Sequence, residues 1–351
     1  MLTNRKKERN MATKRKKQKK SKKKKIFIAI EVLLLIILIP VAFFIFKISQ
    51  IKTYTMDKSV IEENEFHDGN IENYTNIALF GVDSRANELT KNTRTDCIII
   101  ASINNKTKDV QLASIYRDTY VYIADHGYTK INHAYAFGGP ELALSTINKN
   151  FDLNVKDFVT INFSVLSEMI DALGGVDIKI TKDERKYVNA YARNVAKING
   201  TEMPPKIKHS GLQTLTGTQA TGYCRVRYTA GGDFKRAERQ RTVLKQMIKK
   251  AKSSNPVTLY KLMDTFIPQV YTSLGTSDIL KLSTGILSYN ITKNYGFPFD
   301  KQTPTIRGAS VVTANTLSSN VTKLHKELFG TENYEPSSTV NYRSNEISNS
   351  Y

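Results

Sequence analysis

The chain has 351 residues, with 52 Lys or Arg against 32 Asp or Glu and a net charge of +20. That charge is uneven: residues 1–25 hold fourteen Lys or Arg and one Glu, so +13 sits in the first 25 positions and +7 is left for the rest. No aromatic residue interleaves with the basic run, and an apolar stretch follows at once. This argues against a nucleic-acid-binding arm and for a topology signal that is also attracted to anionic lipid.

The apolar stretch is IFIAIEVLLLIILIPVAFFIF, residues 26–46, interrupted only by Glu31 and Pro40. It is long enough to span, since roughly 20 residues at about 1.5 Å rise cross a hydrocarbon core about 30 Å thick. A cleaved signal peptide has an apolar region of only about 7 to 15 residues and ends at a small-residue site, whereas Lys47 follows directly here. The expectation is one transmembrane helix, a cytoplasmic tail at 1–25, and a C-terminal domain outside the cell membrane. Residues 47–73 are polar without an apolar period and read as an extracytoplasmic stalk. Residues 74–330 can form one α/β domain with a substantial core. Residues 331–351, rich in Asn, Ser and Thr, read as disordered.

Short β-branched runs at Asn76–Val82, Cys97–Ile103, Val110–Tyr116, Phe158–Phe163 and Val176–Ile180 predict buried strands. Helical patterns cover Pro140–Asn150, Ser164–Leu173 (stopped by Gly174-Gly175), Asp233–Lys252, 257–267 and 277–289. Together they predict a layered α-β-α domain with a central mixed sheet, preceded by one transmembrane helix. Lys182–His209, charged and carrying Pro204-Pro205, reads as a surface excursion. Cys97 and Cys224 lie where a disulfide is chemically permitted, yet their contexts favour buried free thiols. Two cysteines without a CxxC pair argue against zinc.

Residues able to carry chemistry gather at strand ends. Gly81-Val82-Asp83-Ser84-Arg85 closes a buried strand, where open α/β sheets place ligands, and Arg94-Thr95-Asp96 stands directly before the next. Adjacent strand ends would bring Asp83 and Asp96 together as an oxygen site for Mg²⁺. Taken singly, each Asp is more often a turn former or helix cap. Ser114-Ile115-Tyr116-Arg117-Asp118-Thr119 ends a third strand in an Arg-Asp pair, which alone would be a structural salt bridge. Tyr223-Cys224-Arg225-Val226-Arg227 leads through Gly231-Gly232 into DFKRAERQR (233–241), the densest cationic stretch outside the tail. On a helix Arg236, Arg239 and Gln240 share a face and could converge on one ligand. Arg225 and Arg227 do so only in an extended or turning segment. Guanidinium forks match phosphate oxygens two at a time; the plain alternative is a solvated basic face.

In order and spacing, GVDSR, RTD, SIYRDT, KINHAYAFGG (130–139), DALGGVDI (171–178), LTGTQATGYCRVRY and GDFKRAERQR resemble the LytR-CpsA-Psr family of Gram-positive cell-envelope proteins, over roughly residues 74–245. The resemblance implies a Mg²⁺-dependent phosphotransferase. Such an enzyme moves a glycopolymer (teichoic acid, capsule or similar) from an undecaprenyl diphosphate carrier to the muramic acid 6-hydroxyl of peptidoglycan, forming a phosphodiester. It implies Mg²⁺, or Mn²⁺ in its place, on Asp83 and Asp96. It places the diphosphate on Arg117, Arg225, Arg227, Arg236 and Gln240, with Arg85 as a further member. The implied partners are the lipid-linked polymer, peptidoglycan and the membrane, with no nucleic acid.

Residue chemistry agrees with that implication, because a diphosphate diester carries two negative charges and transfer needs them held while a phosphate leaves. For the base that deprotonates the sugar hydroxyl, Asp83, Asp118 and Asp233 are candidates, and no spacing singles one out. His133, flanked by Ala134 and Tyr135, reads as a hydrogen-bonded structural residue. Phe137, Phe163, Val165, Leu166, Ile170 and Leu173 would line a lipid tunnel on the family's fold, or else form ordinary core. Tyr116 stands where the family usually has proline, and Cys97 and Cys224 where Thr and Ala are frequent; none of these removes a charged ligand. Two other functions fit the same residues: a non-catalytic envelope sensor of lipid-linked precursors, and a diphosphate hydrolase.

Overall fold

Nearly continuous β-branched runs need cover on both faces, and the strands they form are arranged to receive it. The structure, a computed structural model, describes residues 54–65, 68–83, 89–285 and 287–350. β1 (Tyr74–Val82) pairs antiparallel with β2 (Thr95–Asn104), and β2 antiparallel with β3 (Asp109–Ile115). A hairpin of β4 (Tyr120–Ile123) and β5 (Gly127–Lys130) leads into α1 (Asn132–Phe151), which is kinked at Gly138 and Gly139 ahead of Pro140. β6 (Asp157–Asn162) lies parallel to β1 and is followed by α2 (Phe163–Ala172). β7 (Val176–Ile180) and β8 (Gly211–Leu215) form a separate ribbon with α3 (Lys182–Asn199) between them in sequence. Then come α4 (Gly217–Arg225), α5 (Gly232–Ser253), α6 (Pro256–Phe266), β9 (Tyr271–Thr272) and α7 (Thr276–Thr284). β10 (Asn290–Phe297), α8 (Leu317–Phe329) and α9 (Ser338–Ser348) complete the order used here.

The main sheet is mixed and six-stranded, in the order β10-β3-β2-β1-β6-β9. Because successive side chains point to opposite faces, Phe80, Ile98, Ile100 and Ile115 pack with α1, α8 and α9. Ile77, Ile99, Ala101 and Leu112 meet Leu244 of α5 and Ile279 of α7 on the other face. The layered α/β expectation holds. A further apolar cluster joins Ile170 of α2, Val176 and Ile178 of β7, Val188 of α3, and Val243 and Met247 of α5. α5 therefore belongs to two clusters at once, with a seam between them.

Several expectations change. The 47–73 stalk is not free over its described part, since Met56, Ile61 and Ile71 are buried in the main core. Asp68 and His325 form a fully buried pair at 2.6 Å. Single anchors at irregular intervals leave no period to detect. Residues 182–209 are not simply an excursion, because α3 occupies most of them and starts with a capping box between Thr181 and Glu184. The tail expected to be disordered contains α9, which Ser337 caps and which buries Val340 and Ile347, seven residues apart on one face. β7 lies outside the main sheet, and the helix expected at 277–289 ends at Thr284. The expected tail at 1–25 and span at 26–46 lie outside the described residues; among the described residues no helix is long and apolar enough to cross a membrane.

Candidate active site

One end of the sheet collects the C-terminal ends of β1, β3 and β6 and the start of β2: Val82 pairs with Thr95 on one side and Asn162 on the other. Asp83 follows β1, Asp96 is the second residue of β2, and Arg117-Asp118 lie just past β3. Gly81 permits a close approach here, since a Cβ at that position would stand 2.9 Å from Cys97 Cβ. α4 ends at Arg225, Val226 turns extended, and the chain re-enters helix α5 after Gly231 at φ 89°, a left-handed conformation suited to glycine. That turn carries Arg225 and Arg227 to the sheet end, and the first turns of α5 add Asp233, Arg236 and Gln240.

Ion pairs bind these residues into one network. Arg117 Nη1 donates to Asp96 Oδ1 at 2.5 Å, and its Nε lies 3.6 Å from Asp118 and 3.5 Å from Asp233. Arg227 reaches Asp96 at 3.8 Å and Asp233 at 3.5 Å, Arg236 reaches Asp233 at 3.5 Å, and Arg225 reaches Asp83 at 3.3 Å. Gln240 Nε2 donates to the Asp96 carbonyl at 3.3 Å. Arg225 also stands over the Phe163 ring, 5.2 Å from its centre. Lys130, which no sequence pattern singles out, contacts Asp118 at 3.4 Å. Its place in KINHAYAFGG was visible, but the hairpin that returns it to Asp118 was not.

Burial opposes the charge of Arg117, but Asp96, Asp118 and Asp233 outweigh it and raise its pKa above the ordinary arginine value. Arg236 differs: at 4% exposure, burial pulls its pKa below that value, with Asp233 only partly offsetting. Among the described residues, its Nε and Nη1 meet no hydrogen-bond acceptor. A buried guanidinium with donors to spare is costly unless oxygen acceptors reach it, and phosphate oxygens are such acceptors.

Not every predicted residue joins this network. Arg239 shares a helical spacing with Arg236 but turns inward, 1% exposed, onto Glu184 at 2.9 Å. Arg85 lies outside the described residues. His133 Nδ1 shares a 3.0 Å hydrogen bond with Thr129, in keeping with a structural role, and burial lowers its pKa with Arg94 and Lys130 adding to the effect.

The polar pocket is lined by Asp96, Arg117, Asp118, Asp233, Arg236 and Gln240, together with Cys97. Cys97 and Gln240 also line an apolar cavity of about 240 Å³ with Leu79, Phe163, Leu166 and Met169. This cavity is the seam between the two clusters that α5 joins. Of the six residues expected along a lipid tunnel, Phe163 and Leu166 line it. Val165 lines a neighbouring cavity of about 400 Å³ that shares Asn162 and Val270 with it. Ile170 and Leu173 belong to the second cluster, and Phe137 is 45% exposed and stacked on His126. Cys97 and Cys224 are both free thiols on the cavity wall. Burial pushes the Cys97 thiol up to about 12, against the opposing pull of Arg236 and Arg241.

Asp83 and Asp96 put hard oxygen donors on adjacent strand ends, with side chains 36% and 17% exposed. Mg²⁺ typically takes one or two carboxylates and completes its shell with phosphate and water, so the donor set fits a Mg²⁺–phosphate site. Among the described residues no three His, Cys, Asp or Glu cluster as an all-protein cage.

The model of the LytR_cpsA_psr family matches residues 43–327. The chain belongs to this LytR-CpsA-Psr family. It is 31% identical to the polyisoprenyl-teichoic acid–peptidoglycan teichoic acid transferase TagU of Enterococcus faecalis, over 67% of this chain and 72% of the relative. It is 30% identical to the corresponding transferase TagT of Bacillus subtilis, over 66% and 69% of the two chains. Among solved structures, "TagT bound to LIIa-WTA" superposes with TM-score 0.60 at 25% identity, covering 79% of this chain and all of that one. TagT (YwtF) with bound octaprenyl pyrophosphate lipid gives TM-score 0.57 at 23% identity over 79% of this chain and 100% of that one, a likeness of fold. The mixed central sheet is thus the sheet of the LytR-CpsA-Psr fold.

Proposed function

We propose that this chain transfers a phosphate-linked glycopolymer from an undecaprenyl diphosphate carrier to the 6-hydroxyl of muramic acid in peptidoglycan, outside a membrane to which residues 26–46 anchor it. One observation carries the reading: the arginine-lined pocket and the apolar cavity share Cys97 and Gln240 as a common wall. A diphosphate head with a prenyl tail needs such a junction, and a soluble phosphate ester does not. The transferase names of the relatives and the lipid in the TagT structure support it.

The residues divide the work. Arg117, Arg225, Arg227 and Arg236 neutralise the two charges of the diphosphate, and Asp233, touching three of them, fixes their positions. Asp83 and Asp96 would hold Mg²⁺, which supplies charge stabilisation at the phosphoryl oxygens. Asp118, on the pocket wall between Arg117 and Lys130, takes the acceptor proton. The hydroxyl oxygen attacks the phosphorus that bears the polymer, the bond from that phosphorus to the bridging oxygen breaks, and polyprenyl phosphate leaves with that oxygen.

Reconstitution of the full chain with a polyprenyl diphosphate-linked donor, peptidoglycan and Mg²⁺ is expected to yield linked polymer, sensitive to EDTA and to Asp118→Asn. Binding of the donor with no product assigns the chain to precursor sensing, and release of free polymer phosphate without acceptor assigns it to hydrolysis.

A further inference from the structure

The described chain starts on one edge of the main sheet. Tyr54, its first residue, donates its backbone N–H to Thr272 O of the edge strand β9 at 2.9 Å. Its ring lies 5.1 Å from that of Tyr271 and 6.4 Å from that of Phe158, and its hydroxyl donates to Glu141 of α1 at 2.5 Å. Lys58 pairs with Asp157 at 2.7 Å, while Met56 and Ile61 enter the main core. The chain is therefore clamped to the β9 edge from Tyr54 onward.

That clamp shortens the tether. Only seven residues, 47–53, separate Tyr54 from the apolar stretch that ends at Phe46. Fully extended, such a leash reaches at most about 29 Å, and a headgroup layer takes up about 5 Å or more of it. A compact unit of about 300 residues is about 50 Å across. The leash is thus shorter than the unit is broad, and the side that carries Tyr54 cannot turn away from the bilayer. A free stalk over 47–73 would have allowed any orientation.

The edge beside the clamp suits a lipid surface. Pro268 and Gln269, which lead into β9, are exposed, and Tyr54 is 37% exposed against Tyr271. Tyrosine, with an apolar body and a polar tip, collects at headgroup level. Residues 268–271 also wall the cavity of about 400 Å³ that shares Asn162 and Val270 with the apolar cavity. A prenyl tail taking that route passes between protein and bilayer.

We propose that the β9 edge, formed by residues 268–271 with Tyr54, is the face that the folded unit rests on phospholipid headgroups, held there by the Tyr54 clamp and the seven-residue leash. The proposal rests on the reading of residues 26–46 as a membrane anchor.

The test places the full chain in phosphatidylglycerol–phosphatidylethanolamine vesicles that carry a headgroup nitroxide lipid, with an environment-sensitive fluorophore on Gln269→Cys or on Thr292→Cys. Thr292 is exposed on β10, the opposite edge of the sheet, five strand spacings or about 24 Å from β9. The wild-type chain, treated alike, subtracts any label on Cys97 and Cys224. Quenching is expected to be severalfold stronger at 269 than at 292, and to fall to the level at 292 once about twenty Gly-Ser residues are inserted between Thr53 and Tyr54. Equal quenching at the two positions overturns the proposal, as does a contrast that survives the insertion. If an alkaline wash strips the wild-type chain from the vesicles, the anchor reading fails and takes the face with it; if the chain is retained and both edges quench alike, only the face fails.

Discussion

The polar pocket and the apolar cavity share a wall but are built on opposite terms. In the pocket each carboxylate meets at least one guanidinium, Asp233 meets three, and little is free to move without breaking an ion pair. In the cavity two apolar clusters fail to close on each other, leaving about 240 Å³ walled largely by Leu, Ile, Val and Met. An unpacked seam of that kind costs stability. On the proposed reading, the difference teaches that the head of the donor is recognised by fixed geometry, whereas its tail is accepted by slack space.

That contrast can be broken in graded steps. The largest effect belongs to an arginine outside it: Arg239→Ala leaves Glu184 buried and unpaired and is expected to cost about 3–5 kcal/mol of stability, read by chemical denaturation. The same pair gives a pH dependence. Burial raises the Glu184 pKa, but the Thr181 N–H and Arg239 outweigh it and hold it below the usual glutamate value. Its stabilisation is therefore present above that usual value and is lost as pH falls through the depressed one, so the wild-type denaturation midpoint should drop below about pH 4 more steeply than that of Glu184→Gln.

Arg117→Ala should leave the fold nearly intact by circular dichroism while transfer falls about 10²–10³-fold. If it unfolds the chain instead, the pocket is structural and the contrast fails. Leu166→Trp, which fills the cavity, should raise KM about tenfold for a long-tailed donor and hardly change it for a farnesyl one, at about 1.4 kcal/mol of lost tail burial. The mildest probe is alkylation: with Cys97 held near 12, its rate should be slow at neutral pH and keep climbing beyond pH 9, whereas an ordinary thiol levels off.

Legibility in the sequence followed the range of the interactions. β1 to β3, α2 and α5 were readable because strand and helix periods are local, and Asp83, Asp96 and Arg117 stood out because they punctuate those strands. The helical spacing that lets Arg239 share a face with Arg236 does not reveal its turn inward onto Glu184, because α3 is not legible. The signal was there, in Thr181 and Glu184 at capping-box spacing, but the charged composition of 182–199 masked it. β10, with four polar residues in NITKNYGF, has no alternation to follow, and only its parallel pairing with β3 makes it a strand. The seam that becomes the cavity was beyond reach, because a cavity wall and a packed core call for the same apolar residues; the distinction lies in how α5 divides Leu244 from Val243 and Met247.

The shared wall at Cys97 and Gln240 also bears on kinetics. On the proposed reaction the prenyl tail is identical before and after transfer, so the cavity grips donor and spent carrier alike, and such uniform binding does nothing to lower the barrier to transfer. The head alone changes, giving up one of its two phosphates together with the polymer, while the tail stays lodged behind it. Departure of the spent carrier then becomes the slow step, and turnover should quicken when a bilayer is present to receive the tail.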